Sequence, residues 1–518
     1  MNETEVLIIG GGPVGLALAL DLRSRGVSCL VLETTDGRVR HPRVGTVGPR
    51  SMELMRRWGL AERIRKTGWP GDHSLDIAWV TAVGGHEIHR LGFGTTDSRP
   101  ALPYTPEPEQ VCPQHWLLPL LAEAVGPEVL RRECRLESFV QDDRQVLATV
   151  TDLTDGSRLD IGARYLVGCD GAASRVRTAL RIAAPPRRPT RVFRNILFRA
   201  PRLREQLGPG GALVYFLTQP PDLRYPLRAM NGRDLYRLTV GHRTSADPIR
   251  AIRSAIALKT PIEVLSDNVW HLTHRVAERY RHGRVLLAGD AAHTLSPSGG
   301  FGMNTGIADA ADLGWKLAAE LAGWAGPALL DSYEQERRPV AEISLTEADG
   351  NLRRTLDRRL PTEILLDTAQ GATARTRLAR AIERSGVRRE FEAPDMHFGY
   401  RYASPVIVPD GRTAHDWCAD LVAGGRAPHV RLGYGASSLD LFGHAFHLVA
   451  SDPHADLPAL DALARAFGAR RVPFALTRAP LYASPYALIR PDGHVAWHGT
   501  ELPADPGALV DTVRGGRR

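Results

Sequence analysis

The sequence predicts a mixed α/β (α+β) fold with a nucleotide-binding domain, an inserted mixed β-sheet domain and a smaller C-terminal domain. Three observations lead to this prediction. The chain begins with an apolar strand, a glycine-rich turn and a helix; strand-like segments fill residues 187–277; and short strands alternate with a helix after residue 393. Because 518 residues are too many for one hydrophobic core, several packing units are expected.

The composition is typical of a soluble, cytoplasmic globular protein. Hydrophobic residues make up 43% of the chain and the mean hydropathy is −0.21, which is typical of neither membrane nor disordered proteins. The five cysteines are widely spaced and form no C-x-x-C pair, which predicts a reducing compartment and no cysteine-based metal site. The formal charge of +8 comes from scattered arginines, so neither nucleic-acid nor membrane binding is expected.

The N-terminal segment VLIIGGGPVGLALAL predicts a dinucleotide-binding unit. Gly10, Gly12 and Gly15 fit the pattern G-x-G-x-x-G between a strand and the helix that begins at about Pro13. The first glycine forms the turn, the second lets the backbone approach a pyrophosphate, and the third lets the helix pack on the strand. Glu33 ends the second strand, where a carboxylate accepts ribose hydroxyl groups and repels a 2′-phosphate, so the ligand is expected to be FAD or NAD.

Two later segments also run from an apolar strand into an aspartate. Asp170 and Gly171 follow the strand ARYLVGC, and Asp290 follows VLLAG and precedes the stretch SPSGGFGMNTG. Neither segment has a phosphate-binding fingerprint, so one extended dinucleotide contacted from three segments is the simplest interpretation, which favours FAD. The glycines after Pro297 suggest that the backbone approaches a ligand closely there, and the pattern becomes helical from about Asn304.

These motifs resemble those of the class A FAD-dependent aromatic hydroxylases, which have the para-hydroxybenzoate hydroxylase fold. The resemblance rests on the glycine pattern, the DG pair and the stretch GDAAHTLSPSGGFGMNTGIADA. It implies a monooxygenase with FAD as resident cofactor, NAD(P)H as transient reductant and O2 as co-substrate. Oxygen would pass from the flavin C4a-hydroperoxide to an electron-rich carbon, so no side chain is assigned as a catalytic residue and no metal is expected.

The resemblance also implies a set of cofactor contacts. Asp290 would hold the ribityl chain, and Arg43 and Gln114 match family positions that contact the flavin, with Arg50 as an alternative to Arg43. His293 is expected to be structural. The expected cofactor-binding residues are Gly10, Gly12, Pro13, Gly15, Glu33, Arg43, Gln114, Asp170, Gly171, Asp290, Pro297, Gly300, Gly302, Met303 and Asn304.

The strand-rich segment 187–277 is where substrate is expected to bind. A two-residue turn at Asn231-Gly232 would place Arg228 opposite Leu235. By the period of two, one sheet face then carries Arg224, Arg228, Arg233 and Arg237. Such a face is either solvated or lines a pocket for a carboxylate-bearing substrate, and the resemblance favours the pocket. The substrate-binding residues expected are Arg43, Val214, Phe216, Arg228, Arg237 and Glu390, although surface exposure is an equal alternative for Glu390.

Longer stretches resemble the flavin hydroxylases of indolocarbazole biosynthesis, of the rebeccamycin and staurosporine pathway type; among them are HPRVGTVGPRSMELMRRWG, CPQHWLLPLLAEAVG and REFEAPDMHFG. The similarity covers nearly the whole chain. It implies action beside a cytochrome P450 on intermediates from chromopyrrolic acid, an indolic dicarboxylate that suits the arginine face. One branch of the group gives an imide and the other a lactam; Arg237 favours the imide and the small Val214 argues against it.

Two alternative functions remain open on the sequence. One is a hydroxylase of a phenol or polyketide, and the other is a flavoprotein that binds and protects a reactive intermediate without oxygenating it. Both would use the same FAD motifs, so the motifs do not separate them from the indolocarbazole hypothesis.

The expected domain boundaries follow from these assignments. Residues 1–186 and 278–350 would form a discontinuous FAD-binding domain with substrate-contacting insertions, residues 187–277 the β-sheet substrate domain, and residues 351–392 a helical linker. Residues 393–518 resemble the thioredoxin-like domain of phenol hydroxylase relatives. Because Cys418 is the sole cysteine there, a structural or oligomerisation role is expected, in a monomer or a homodimer.

Overall fold

A computed structural model of the chain describes residues 2–43, 45–218, 226–241, 247–356, 360–412 and 420–516. Arg224 and Cys418, which entered the sequence analysis, lie outside these residues. The described chain has the mixed α/β class that the sequence predicts.

The strands are β1 (Asn2–Ile9), β2 (Cys29–Leu32), β3 (Thr46–Val47), β4 (Ile77–Val80), β5 (Glu87–Leu91), β6 (Gln110–Val111), β7 (Leu130–Arg131), β8 (Cys134–Gln141), β9 (Val146–Asp152), β10 (Arg158–Gly168), β11 (Arg191–Arg199), β12 (Val214–Leu217), β13 (Pro226–Ala229), β14 (Leu235–Gly241), β15 (Glu263–Leu272), β16 (Arg275–Val276), β17 (Arg281–His282), β18 (Val285–Leu287), β19 (His293–Thr294), β20 (Arg431–Gly433), β21 (Ala436–Ser437), β22 (Phe446–Ala450), β23 (Phe474–Arg478), β24 (Tyr486–Ile489) and β25 (Val495–Gly499). The α-helices are α1 (Pro13–Ser24), α2 (Pro49–Arg57), α3 (Ala61–Arg65), α4 (Gln114–Val125), α5 (Arg175–Ala179), α6 (Leu203–Leu207), α7 (Pro248–Ala255), α8 (Phe301–Leu321), α9 (Ser332–Leu356), α10 (Ala369–Arg384), α11 (Pro394–Phe398), α12 (Leu457–Ala469) and α13 (Pro506–Val513).

The first sheet brings the three motif-bearing strand ends together. It has eight strands in the order β17-β18-β10-β1-β2-β7, with β9 and β8 attached beside β10. Strand β1 is parallel to β2 and β10, and β10 is parallel to β18. Ligands of parallel sheets bind outside the carboxyl ends of the strands, so the segments that begin at Gly10, Cys169 and Ala288 share the ligand-binding edge.

The second sheet has seven strands in the order β15-β11-β14-β13-β12-β4-β5. Its members β4 and β5 come from residues 77–91, well before the strand-rich segment that the sequence singled out, and β4 pairs in parallel with β12. One face packs on an apolar cluster that includes helix α7. The other face packs on the helical segment around α10, which covers it with a second apolar cluster.

The predicted register of the β13–β14 hairpin is wrong. Arg228 lies opposite Arg237, not opposite Leu235, and Arg233 lies in an exposed loop instead of on the sheet face. The loop is longer than two residues because the Asn231 side-chain oxygen accepts hydrogen bonds from three consecutive backbone N–H groups, those of residues 233, 234 and 235. The error is two residues, an even number, so Arg228 and Arg237 still share one face as predicted.

The C-terminal unit has the predicted βαβ arrangement followed by a hairpin. Its sheet has the order β23-β22-β24-β25, with β22 and β23 parallel and connected through α12. Its core is shared with the first domain, because Trp315 of α8 packs edge-on against Phe446 of β22 at 5.9 Å. Helix α9 runs without a break through the predicted boundary at residue 350. Within the described residues, no helix is both long and apolar enough to cross a bilayer.

Candidate functional site

The turn between β1 and α1 leaves room for a ligand at one glycine only. Gly10 has φ +110°, and a Cβ there would lie 2.4 Å from the Cys169 carbonyl oxygen; a Cβ on Gly15 would lie 2.0 Å from the Gly10 oxygen. Close packing within the protein therefore explains why glycine stands at both of these positions. Gly12 has an ordinary φ of −73°, no side-chain cap, and no atom within 4 Å of an added Cβ. Its small size leaves open space in front of the free N–H groups of α1, as a pyrophosphate requires.

The start of α8, like that of α1, has no side-chain cap and has open space beside its glycines. Gly300 precedes the helix with φ +68° and no side-chain cap, and a Cβ on Gly300 or Gly302 would contact nothing within 4 Å. The Gly300 N–H donates to the Pro297 oxygen at 3.0 Å, which closes the turn before the helix. Met303 is half-buried against the apolar core of the first domain. An uncapped helix start with open backbone suits a flavin ring lying against it.

Asn304 fixes this helix start to the rest of the site. Its oxygen accepts the Gly48 N–H at 2.8 Å, and its amide donates to the oxygens of Thr46 and Gly300 at 3.1 and 2.8 Å. The side chain is therefore used to hold backbone in place. Strand β3 pairs with β6, which brings the beginning of α4 and its first residue, half-buried Gln114, beside the same region.

Asp290 stands in the turn after β18 with its carboxylate partly open to solvent. Arg43 lies 3.6 Å from it, and its own side chain is 74% exposed. The alternative arginine is excluded from this position, because Arg50 is buried, pairs with Glu53 and donates to the Asp492 oxygen at 2.8 Å. The structure thus places Arg43 and Asp290 together at the edge where the strands end.

The other two predicted carboxylates mainly order backbone. Both Asp170 oxygens accept from the first turn of α5, including the N–H groups of Arg175 at 2.7 Å and Val176 at 3.1 Å. Gly171 beside it has φ +80° and open space where a Cβ would lie. Glu33 accepts the Gly11 N–H at 2.8 Å and the Thr35 N–H at 2.8 Å. These residues shape the dinucleotide groove by holding its loops.

A row of three side chains crosses the second sheet. Val214 lies opposite Arg228, and Arg228 lies opposite Arg237 on adjacent strands, so all three point to one face. Arg237 is 9% exposed, and burial, Arg228 and Arg43 together lower its pKa to about 9. Its Nη1 donates to the Pro42 oxygen at 3.5 Å, and its Nε has no partner within the described residues. Arg228 is half-buried beside it, and two adjacent guanidinium groups of this kind suit an anion.

Glu390 faces this row from the helical segment. It is 3% exposed, so of the two alternatives the buried one holds. Burial raises its pKa to about 7, although Arg228 and Arg354 act in the opposite direction. Its Oε2 has no partner within the described part of the chain. The group therefore changes charge near neutral pH inside the pocket.

Two aromatic side chains that the sequence analysis missed, Trp79 and Phe391, pack against the predicted residue Phe216. Phe216 stacks on Trp79 with 5.2 Å between ring centroids and an interplanar angle of 10°. Phe391, next to Glu390, approaches Phe216 edge-on at 6.1 Å. Trp79 belongs to β4, a short run of buried apolar residues that nothing in the sequence assigned to the substrate sheet. These rings form a stacked, buried aromatic cluster on the sheet face that carries the arginine pair.

We expect Gly12→Ala to fold normally and to bind FAD poorly. The new methyl group occupies only the space in front of α1, so the melting temperature of the apoprotein stays near that of the wild type while the FAD Kd rises about tenfold or more. Gly15→Ala is the contrasting variant, because its Cβ would collide with the Gly10 backbone. There the apoprotein itself is destabilised. Thermal melts and FAD titration of both apoproteins measure the difference; a lowered apoprotein melting temperature in Gly12→Ala would contradict the assignment.

Comparisons with known proteins identify the family of this chain. Residues 3–348 match the FAD binding domain family. Tetracenomycin A2 monooxygenase-dioxygenase of Streptomyces glaucescens is 32% identical, over 97% of this chain and 95% of that protein.

Two solved structures are more similar. The rebeccamycin biosynthetic enzyme RebC with reduced flavin is 57% identical, with a TM-score of 0.97 over 100% of this chain and 99% of that one. RebC soaked with chromopyrrolic acid and holding 7-carboxy-K252c is also 57% identical, with a TM-score of 0.97 over 100% of both chains.

Proposed function

The chain belongs to the FAD binding domain family and is an FAD-dependent monooxygenase that uses NAD(P)H and O2, and from this premise we propose that it acts in indolocarbazole biosynthesis. Its substrate would be an intermediate derived from chromopyrrolic acid, formed with a cytochrome P450 as functional partner. The similarity to RebC supports this substrate class, since a RebC crystal soaked with chromopyrrolic acid holds 7-carboxy-K252c.

The observation that carries the proposal is the pair Arg228 and Arg237, of which Arg237 is buried and Arg228 half-buried. Partial loss of water lowers the pKa of each, and they lie opposite each other on adjacent strands. A phenol or neutral polyketide would leave them without an anionic partner, whereas a carboxylate-bearing indole satisfies them by bidentate hydrogen bonds. The flat walls formed by Trp79 and Phe216 suit a fused aromatic ring system.

The residues divide the work between holding cofactor and holding substrate. FAD, when bound and reduced, supplies the activated oxygen. The chain's own contribution is placement: the starts of α1 and α8 and the Asp290 turn hold the cofactor, while Arg228 and Arg237 fix the substrate carboxylates. The covering segment around Glu390 excludes water from the space between. Arg43, close to both Asp290 and Arg237, lies where the two sites meet.

The deciding experiment is product analysis by mass spectrometry. The protein is incubated with NADPH, labelled O2, a P450 of this pathway type and chromopyrrolic acid, with the P450 alone as control. A labelled product that depends on this protein, either imide or lactam, supports the proposal. An imide agrees with the expectation from Arg237, and a lactam with the expectation from Val214. Products unchanged from the P450 control, together with NADPH oxidation stimulated by a phenol or polyketide, would reject it. A protein-dependent product without label would instead indicate protection of an intermediate.

Glu390 should make substrate binding depend on pH. Below about pH 7 its carboxyl is protonated; above it, the carboxylate repels a substrate carboxylate and competes for Arg228. Dicarboxylate affinity is therefore expected to fall about threefold to tenfold between pH 6 and pH 8. In Glu390→Gln this fall disappears, because the amide carries no charge at either pH. Substrate Kd from flavin absorbance changes between pH 6 and pH 8 measures the difference; a fall of the same size in the variant would rule out this role.

A further inference from the structure

The turn that carries Asp290 is held from behind by a buried aspartate. The Gly289 N–H donates to Asp309 Oδ2 at 3.1 Å, and His293 Nε2 lies 2.7 Å from the same oxygen. Arg337 Nε donates to Asp309 Oδ1 at 2.7 Å. Burial by itself would raise the pKa of Asp309, but His293 and Arg337 lower it to about 2. The carboxylate is therefore charged, and its position depends on Arg337.

Arg337 links this aspartate to the chain that leads into the C-terminal unit. Its Nη2 donates to the Thr305 oxygen at 3.0 Å, in the first turns of α8, and its Nη1 donates to the Tyr402 hydroxyl at 3.1 Å. The side chain is fully buried. One guanidinium group thus spans the flavin-facing helix, Asp309 and a residue beyond α11.

Arg490, in the turn between β24 and β25, extends the connection. It donates to Glu336 at 2.7 Å and to Asp312 of α8 at 2.9 Å, and its guanidinium lies 5.1 Å from the centre of the Tyr402 ring. Lys316 completes the cluster, at 2.8 Å from Asp312 and 2.6 Å from Glu336. All these charged side chains are buried, so none of these bonds can be replaced by water without cost.

We propose that Arg337, Tyr402 and Arg490 are positioning residues for the flavin, which makes the C-terminal unit a part of the cofactor site. The buried chain runs from Arg490 through Tyr402 and Arg337 to Asp309 and the turn before Asp290. Each member is buried and in contact with the next, so disturbing the C-terminal end is expected to displace the turn before Asp290 and the start of α8. The proposal depends on FAD binding and not on the identity of the substrate.

Tyr402→Phe tests the middle of the chain with the removal of one hydroxyl group. The FAD Kd of the apoprotein is expected to rise about fivefold, and the visible circular dichroism of bound flavin to change. The apoprotein melting temperature is expected to fall modestly, because Arg337 Nη1 loses its buried partner. Tyr400→Phe is the matched control: its ring also lies near Arg337, at 5.4 Å, but its hydroxyl has no partner within the described residues. In that variant FAD Kd stays within twofold.

Arg490→Lys tests the far end while keeping the positive charge. Arg490 uses separate guanidinium nitrogens for Glu336 and Asp312, and a lysine ammonium lacks this fork and the planar contact with the Tyr402 ring, so FAD Kd is expected to rise about tenfold. Arg470→Lys is its control, because Arg470 makes a two-point pair with Asp511 inside the C-terminal unit, away from α8. A purely structural role would lower the apoprotein melting temperature in both arginine variants and leave FAD Kd and the flavin spectrum unchanged. That result, or an unchanged Kd in Tyr402→Phe, would overturn the proposal; if Arg490→Lys does not fold, Tyr402→Phe decides.

Discussion

Asp290→Ala is expected to purify as a folded protein without FAD. The Asp290 carboxylate is 38% exposed and lies at the edge where the motif-bearing strands end, so its loss removes ribityl contacts and leaves the core intact. Charge-assisted hydrogen bonds to a carboxylate are strong, and we expect FAD affinity to fall about a hundredfold or more. The ratio of flavin to protein absorbance after purification, followed by FAD titration, measures the effect.

Two further variants calibrate this result. Asp290→Asn keeps one oxygen acceptor and replaces the other oxygen by an uncharged NH2 group of similar size. We therefore expect an FAD affinity between those of the wild type and Asp290→Ala. Asp155→Ala is the control, because that aspartate accepts the Ser157 N–H in an exposed turn far from the strand ends. A full flavin spectrum in Asp290→Ala would show that the ribityl chain is held elsewhere.

Arg237→Met is expected to bind FAD normally and to lose the dicarboxylate. Methionine retains much of the length of arginine but cannot pair with a carboxylate, so we expect substrate Kd to rise about a hundredfold. In the substrate-free protein the same change removes a buried charge that lacks a protein carboxylate, so the melting temperature should rise or stay constant. Substrate titration and thermal melts together test this opposite effect on binding and stability.

The matched control for this variant lies in the same hairpin. Arg233 is exposed in the loop, and Arg233→Met should leave both substrate affinity and melting temperature unchanged. Equal substrate affinity in Arg237→Met and wild type would mean that the arginine pair does not bind the substrate, and the proposed substrate class would lose its main support.

Much of the cofactor site could be predicted from the sequence because its determinants are local. A glycine turn between an apolar strand and a helix specifies its own geometry, as Gly10 and Gly15 show by packing against the neighbouring backbone. The strands before Asp170 and Asp290 are apolar on both faces, which is typical of central parallel strands. The shared face of Arg228 and Arg237 was also predictable, since the period of a strand tolerates an error of two residues.

Two features depend on the tertiary structure and not on local sequence. They are the proposed substrate site and the buried contacts that hold the turn before Asp290. Asn231 set the hairpin register through its side chain, and β4 brought Trp79 to the substrate sheet from a distant part of the chain. The sequence by itself determined the fold class, the FAD motifs and a cationic sheet face. Only folding placed Glu390 opposite Arg228 and Arg490 against α8, because burial and long-range ion pairing depend on neighbours that no local pattern specifies.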